Sequence, residues 1–322
     1  MSETRVAQFT NRSPIPTLWS GGGAEKAWKA SRDLFKKLQP DVVLVHHWPV
    51  QATPKVCGEI RRDLGSAIGI GVGIDSIARE VAQGKQRVSA GASELVDLAV
   101  KAVEDCGASV FELNAEASWK RPPTSIEAKR LNDLILSALR EIAARYPNLP
   151  LGHTAYDHPT FHSQYPWKAW LGPESPIGYS APQVYAAPEG EVMAKINGLD
   201  RREAAALSSW QSAIRAGWIR PDAPEGTPGD LSDVDWIPYY QLHHVPAQDT
   251  IEGYLRHPVS KYWAIPTRFD EEGEKAIRCI FTLWHAGVTT LDDLATFQAA
   301  NGLKPDKVPG PKTQEAILAR AA

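Results

Sequence analysis

The sequence predicts an α/β protein: a (β/α)8, TIM-like barrel over residues 1–270, followed by a small all-helical C-terminal module over 271–322. Three observations carry this. Eight short apolar stretches alternate with segments whose apolar residues recur at helical spacing, the pattern of a parallel sheet with crossover helices. Polar residues collect at the C-terminal end of stretch after stretch, where such barrels carry their chemistry. From about Glu271 onward the pattern is helical throughout. A chain of 322 residues has room for one large domain and a small second one.

In chain order, Arg5–Phe9 reads as the first strand and the following stretch, with Pro14, Pro16 and Gly21-Gly22-Gly23, as a loop. Trp28, Leu34, Phe35 and Leu38 predict a helix over 24–38 that Pro40 stops. Asp41–His47 is the second strand, and a helix follows over 56–64. Ala67–Gly73 is the third strand, ending at Ile74-Asp75; its glycines alternate within the strand instead of opening a helix, so they signal close packing rather than a phosphate loop. A helix over 95–106 leads to the fourth strand, Ser109–Glu116, and the longest helix follows over 125–146. Leu149–Tyr156 is the fifth strand, followed by Asp157 and His158, and Tyr179–Tyr185 is the sixth. After a helix over 201–216, Trp236–His244 and Tyr262–Phe269 are the seventh and eighth. Prolines in the last three strands weaken the pattern there.

Composition excludes several classes of function. A net charge of −3 with interspersed signs gives no basic stripe for nucleic acid. Three widely spaced cysteines make no disulfide framework. The N-terminus lacks a basic-then-apolar signal pattern and no stretch is long and apolar enough to insert in a membrane, so a soluble protein made in the cytoplasm is expected. Eleven Trp and nine Tyr are many, and such rings often line carbohydrate clefts.

The fourth strand holds the chemistry. Side chains alternate across a strand, so Glu112, Asn114 and Glu116 share one face, with Phe111, Leu113 and Ala115 on the other. Two carboxylates and a carboxamide are costly to bury unless that face opens into a site that uses them. Carboxyl groups on such a face can divide the roles of general acid and base. Glu116, at the mouth, is the candidate acid, with Glu112 and Asn114 beneath it as support. Asp157 and Asp75, at neighbouring strand ends, are the candidates for the second group, Asp157 being preferred. Tyr156, Tyr185 and Gln183 are placed to hydrogen-bond a sugar, and Trp119, Trp167 and Trp170 to stack on one.

Two stretches resemble known families. Phe297–Ile317, with Phe297-Gln298, Asn301-Gly302-Leu303, Asp306 and Gly310-Pro311-Lys312-Thr313, closely resembles the peptidoglycan-binding repeat of cell-wall hydrolases, with Lys307 in place of the usual turn glycine. Glu112-x-Asn114-x-Glu116 is similar to the Asp-x-Asp-x-Glu motif on strand four of barrel chitinases, whose last Glu is the proton donor, and departs from it at two positions. Together the resemblances imply a modular peptidoglycan hydrolase of the phage-type endolysin or related lytic class. Such a protein cuts the wall glycan as a muramidase or glucosaminidase, needs no cofactor or metal, and is released to the wall after lysis or carried on a phage or injection particle.

Two other readings remain open. His46, His47, His153, His158, His243 and His244 lie on three strands, and imidazoles can hold zinc for amide or peptide hydrolysis. No supporting spacing accompanies them, and adjacent histidines on a strand face opposite ways. The other reading is an inactive barrel that anchors to wall glycan.

Overall fold

A computed structural model describes residues 14–19, 23–47, 54–115, 125–156, 159–162, 166–172, 174–183, 208–209, 212, 215, 235–236, 239–241, 245–256, 261–264 and 271–320. Among the described residues, nine strands make one parallel sheet: β1 (Ile15–Trp19), β2 (Val42–His47), β3 (Ala67–Gly73), β4 (Val110–Asn114), β5 (Leu151–Tyr156), β6 (Tyr179–Gln183), β7 (Asp235–Trp236), β8 (Tyr239–Gln241) and β9 (Lys261–Ala264). β1 to β6 pair each with the next, β6 pairs with β7 and β8, β8 with β9, and β9 with β1, so the sheet curls on itself. The helices are α1 (Ala24–Leu38), α2 (Pro54–Leu64), α3 (Asp75–Ala82), α4 (Val88–Glu104), α5 (Ser125–Arg145), α6 (Trp167–Leu171), α7 (Ala247–Arg256), α8 (Glu271–His285), α9 (Leu291–Ala300) and α10 (Pro311–Ala319). Among the described residues, no helix is long and apolar enough to cross a membrane.

The two-residue period of the strands separates two cores. Leu18, Val43, Val45, Ile68, Ile70, Val72, Phe111 and Leu113 face outward and form one apolar cluster with the helices. Ile15, Val42, Leu44, Val110, Tyr179 and Ala181 form a second cluster on the concave face. In α1 the buried Ala24, Ala27, Trp28, Ser31, Phe35 and Leu38 recur at helical spacing, and Trp28 meets Phe35 edge-on at 6.2 Å. The helix stops where Gln39 turns left-handed, at φ 48°, just ahead of Pro40.

The structure corrects the sequence reading in places. The first described strand is Ile15–Trp19, in the stretch expected to be a loop, while Arg5–Phe9 lies outside the described residues. Pro16 argues against a strand, yet it is the second residue of β1, ahead of the β2 ladder, which begins at Thr17, and in register with Tyr262 on the β9 side. Asp75 is not a strand end: β3 stops at Gly73, and Asp75 is the first residue of α3, where no helix was expected, while the helix expected over 95–106 is α4, Val88–Glu104. Of the seventh strand expected over 236–244, residues 236 and 239–241 are described, in β7 and β8. Of the helix expected over 201–216, only 208–209, 212 and 215 are described, all as helical.

The C-terminal helices are built by local signals and joined to the rest by apolar packing. Thr290 and Asp293 form a reciprocal capping box at the start of α9, Gly302 takes φ 68° beyond its end, and Pro311 opens α10. Between α9 and α10 the loop is tied to one side chain. The buried Gln298 shares the two Nε2 protons among Asp306 Oδ1 (3.0 Å), the Val308 carbonyl (2.9 Å) and Thr313 Oγ1 (3.1 Å), and its Oε1 accepts from the Lys307 amide (3.0 Å). Lys307 holds φ 64°, the left-handed conformation a glycine takes without strain. Leu294, Phe297 and Ile317 are continuous with the outer core, α8 packs on α7, α10 and α1, and Tyr254 of α7 donates to the Val288 carbonyl at 3.2 Å.

Candidate functional site

The candidate site lies on the concave face of β4, β5 and β6. Glu112 pairs across the ladder with Gly152, and Gly152 with Tyr179, so the three share one rank. Gly152 has no side chain, and the Tyr179 ring leans across it. A Cβ at Gly152 would stand 1.9 Å from Tyr179 Cζ and 2.2 Å from its hydroxyl oxygen. The hydroxyl thereby donates to Glu112 Oε2 at 3.0 Å, while Thr154 Oγ1 donates to Oε1 at 2.6 Å. Each carboxylate oxygen has a fixed donor, and Glu112, Thr154 and Tyr179 are fully buried. These hydrogen bonds meet the requirement that a buried polar group be paired. Burial, and after it the charge and hydrogen bond of Glu112, push the Tyr179 hydroxyl well above its usual range.

Glycine serves a neighbour on β3 as well. A Cβ at Gly71 would stand 2.5 Å from His46 Cδ2, so that position leaves room for the imidazole of β2, itself buried. Sequence reasoning took the β3 glycines as close packing, and the partner is now a named side chain.

Asn114 is the next inward residue of β4, one rank nearer the strand's C-terminal end and paired with Thr154. Its carbonyl accepts from the Ile74 amide at 2.9 Å, which fastens the turn from β3 into α3 against β4. Asp75, next in the chain, is buried at the start of α3. Gln183 is buried at the end of β6 and pairs with Tyr156 at the end of β5.

The structure therefore brings Glu112 and Asn114 together with Thr154 and Tyr179, and sets Asp75, Tyr156 and Gln183 at the ends of adjoining strands or their turns. Glu116, Trp119, Asp157 and Tyr185 lie outside the described residues. Trp167 and Trp170 were candidates to stack on sugars. They are instead buried in α6, in the outer core. His153 stacks on Trp170 at 4.3 Å and meets Trp167 edge-on at 6.1 Å. His153 and His46 thus occupy opposite faces of the sheet, which separates two of the six histidines. Among the described residues, no group of three or more His, Cys, Asp or Glu is arranged to hold a metal.

Sequence reasoning missed Thr154, Tyr179 and Gly152. The signal was present in the period: Tyr179, Ala181 and Gln183 share a face, as do Gly152, Thr154 and Tyr156, and a small-for-large exchange between neighbouring strands marks a side chain that crosses.

No family model and no curated protein matches the chain. Solved structures do. A chitinase from Chromobacterium violaceum superposes with a TM-score of 0.52 at 11% identity, covering 82% of this chain and 98% of that one. A GH18 chitinase from Pseudoalteromonas aurantia gives a TM-score of 0.50 at 14% identity, with the same coverage of both chains. At these identities the likeness is one of fold. It extends over nearly the whole of both chitinases, and it agrees with the curled parallel sheet and outer helices described above.

Proposed function

We propose that this protein hydrolyses a glycosidic bond of bacterial peptidoglycan, on a full (β/α)8 barrel over residues 1–270 targeted to the wall by residues 271–322. The observation that carries the proposal is the Glu112 carboxylate, buried on the concave face and clamped by Thr154 and Tyr179, directly beneath Asn114 on the strand that leads to Glu116. A carboxylate costs several kcal/mol to bury, and a core that needed only packing is served better by an apolar residue. Two neighbouring features support the reading. The chitinase-like fold is one on which glycan cleavage is performed by the proteins named above, and the loop closed by Gln298 lies within the stretch that resembles the peptidoglycan-binding repeat.

The roles follow from what each group can reach. Glu112 has both oxygens engaged by fixed donors, so it is assigned a positioning role beneath Asn114. Glu116 is assigned the acid that protonates the leaving oxygen. Asn114 orients it or the substrate, and Asp157 or Asp75 supplies the second group, unless the substrate's acetamido oxygen does so. Tyr156, Tyr185, Gln183 and Trp119 are assigned to sugar contacts. Delivery after lysis or on a phage-like particle belongs to the same proposal.

Dye release from purified peptidoglycan tests it. Wild type is expected to release dye with or without EDTA, and Glu116→Gln to lose on the order of 100-fold or more of the rate. Full release by Glu116→Gln overturns the assignment, and loss with EDTA points to metal-dependent chemistry instead.

A further inference from the structure

Where α1, α8 and the last helix end close together, the surface opens into a cavity of about 420 Å3. Its walls include Lys37 and Leu38 of α1, Arg278, Phe281 and His285 of α8, and Arg320 after α10, and among the described residues no carboxylate lines it. The cations are weakly engaged. Arg278 lies 3.9 Å from Glu274 one turn back, beyond hydrogen-bond distance. Arg320 sits over the Phe297 ring, 4.8 Å from its centroid, with the neutral Asn301 Oδ1 at 3.4 Å. Lys37 has no ion pair among the described residues.

The plain alternative is that basic residues merely complement helix C-termini. Each end carries about half a negative charge, so the ends of α1, α8 and α10 together account for about one and a half units. Three full positive charges converge on the cavity, and Arg278 lies two turns inside its helix, so helix ends leave a positive surplus. The cavity is also pre-built. His285 Nε2 lies 2.9 Å from the Leu38 carbonyl and donates to it, which joins the end of α1 to the end of α8, and the His285 ring rests 4.5 Å from that of Trp284. Leu38 and Phe281 are buried and give the cavity an apolar floor.

We propose that this cavity binds the free carboxylate end of a short peptide with small apolar side chains. Guanidinium groups fit a carboxylate in planar, two-pronged fashion, and the apolar floor accepts methyl groups. The volume falls in the range of small-molecule sites, about 300–1,000 Å3, and exceeds what a bare ion fills. This choice of ligand rests on the wall-hydrolase reading above, because wall stem peptides present alanyl carboxylates beside the glycan. The site lies between the first described helix and the C-terminal helices, so a bound peptide would contact both.

Isothermal titration of the full chain with N-acetyl-D-alanyl-D-alanine, its C-terminal amide and inorganic phosphate tests the proposal without any glycan cleavage. The free acid is expected to bind. The amide is expected to bind about tenfold or more weakly, and the doubly substituted Lys37→Gln, Arg278→Gln chain to lose affinity for the acid by a similar factor with an unchanged melting temperature. Absence of binding, equal binding of acid and amide, an unaffected double variant, or phosphate binding as tightly as the acid each overturns it. Dye release without peptide binding removes this site and leaves the glycosidase standing; peptide binding without dye release does the reverse.

Discussion

Gly152→Ala is the substitution that probes the site's construction most sharply. The added methyl would stand 1.9 Å from Tyr179 Cζ and 2.2 Å from the hydroxyl oxygen, where carbon contacts need roughly 3.5–4 Å. The ring is fully buried in the inner cluster with Val110 and Leu44, so it cannot retreat without displacing them. Overpacking of this kind costs about 1–3 kcal/mol. If the ring moves, the 3.0 Å bond to Glu112 goes as well, and a hydrogen bond to a charged group is worth about 1.5–3 kcal/mol. The sum is roughly 4 kcal/mol, a large share of the 5–15 kcal/mol that holds a typical domain together. The assay is a double-mutant cycle by urea denaturation. In the Tyr179→Ala background the methyl meets no ring, and Gly152→Ala is expected to change stability by less than about 1 kcal/mol, leaving a coupling of about 3 kcal/mol. Equal cost in the two backgrounds, or less than about 1 kcal/mol in wild type, refutes the idea that Gly152 exists to let Tyr179 cross to Glu112.

Two further outcomes follow from the same structure. The Tyr179 hydroxyl is raised in the folded state, so its contribution is fully present below the unfolded value of about 10 and is lost as pH rises through the folded one. Above pH 10, wild type is therefore expected to lose stability more steeply than Tyr179→Phe, by up to about 1.4 kcal/mol per pH unit, measured by urea midpoints from pH 8 to 11. Gln298→Leu removes four hydrogen-bonding contacts at once and is expected to cost about 2–4 kcal/mol; thermal unfolding should show one lowered transition, because Leu294, Phe297 and Ile317 share a core with the outer layer of the sheet.

Much of the fold was legible because burial imposes simple periods. The bounds of α1 over 24–38 match the expectation, and α5 ends one residue earlier than expected, since each pairs a long apolar stripe with clear ends. The face shared by Glu112 and Asn114 followed from a period of two that a ladder register cannot break. β1 was hidden because a proline tolerated early in a strand looks the same in sequence as one that forbids a strand. α3 was not expected at all, because its eight residues are short and follow directly on the end of β3, and the helix expected over 95–106 in fact begins at Val88. In the candidate site, the residue types that carry charge stood out, whereas Thr154 and Tyr179 did not. A threonine and a tyrosine on apolar strands look like packing until their neighbours are known, and only the register that puts a glycine between Glu112 and Tyr179 turns the ring into a donor. The outward placement of Trp167, Trp170 and His153 was illegible for the same reason: an aromatic side chain has no sequence mark that tells a sugar platform from a helix–sheet contact.

The most direct test of the central claim is mass spectrometry of the soluble fragments that the wild-type chain releases from purified peptidoglycan. The account predicts new reducing sugar ends, absent from a Glu116→Gln digest and diminished in a Glu112→Gln digest. Fragments bearing new amino groups with intact glycan strands would contradict it.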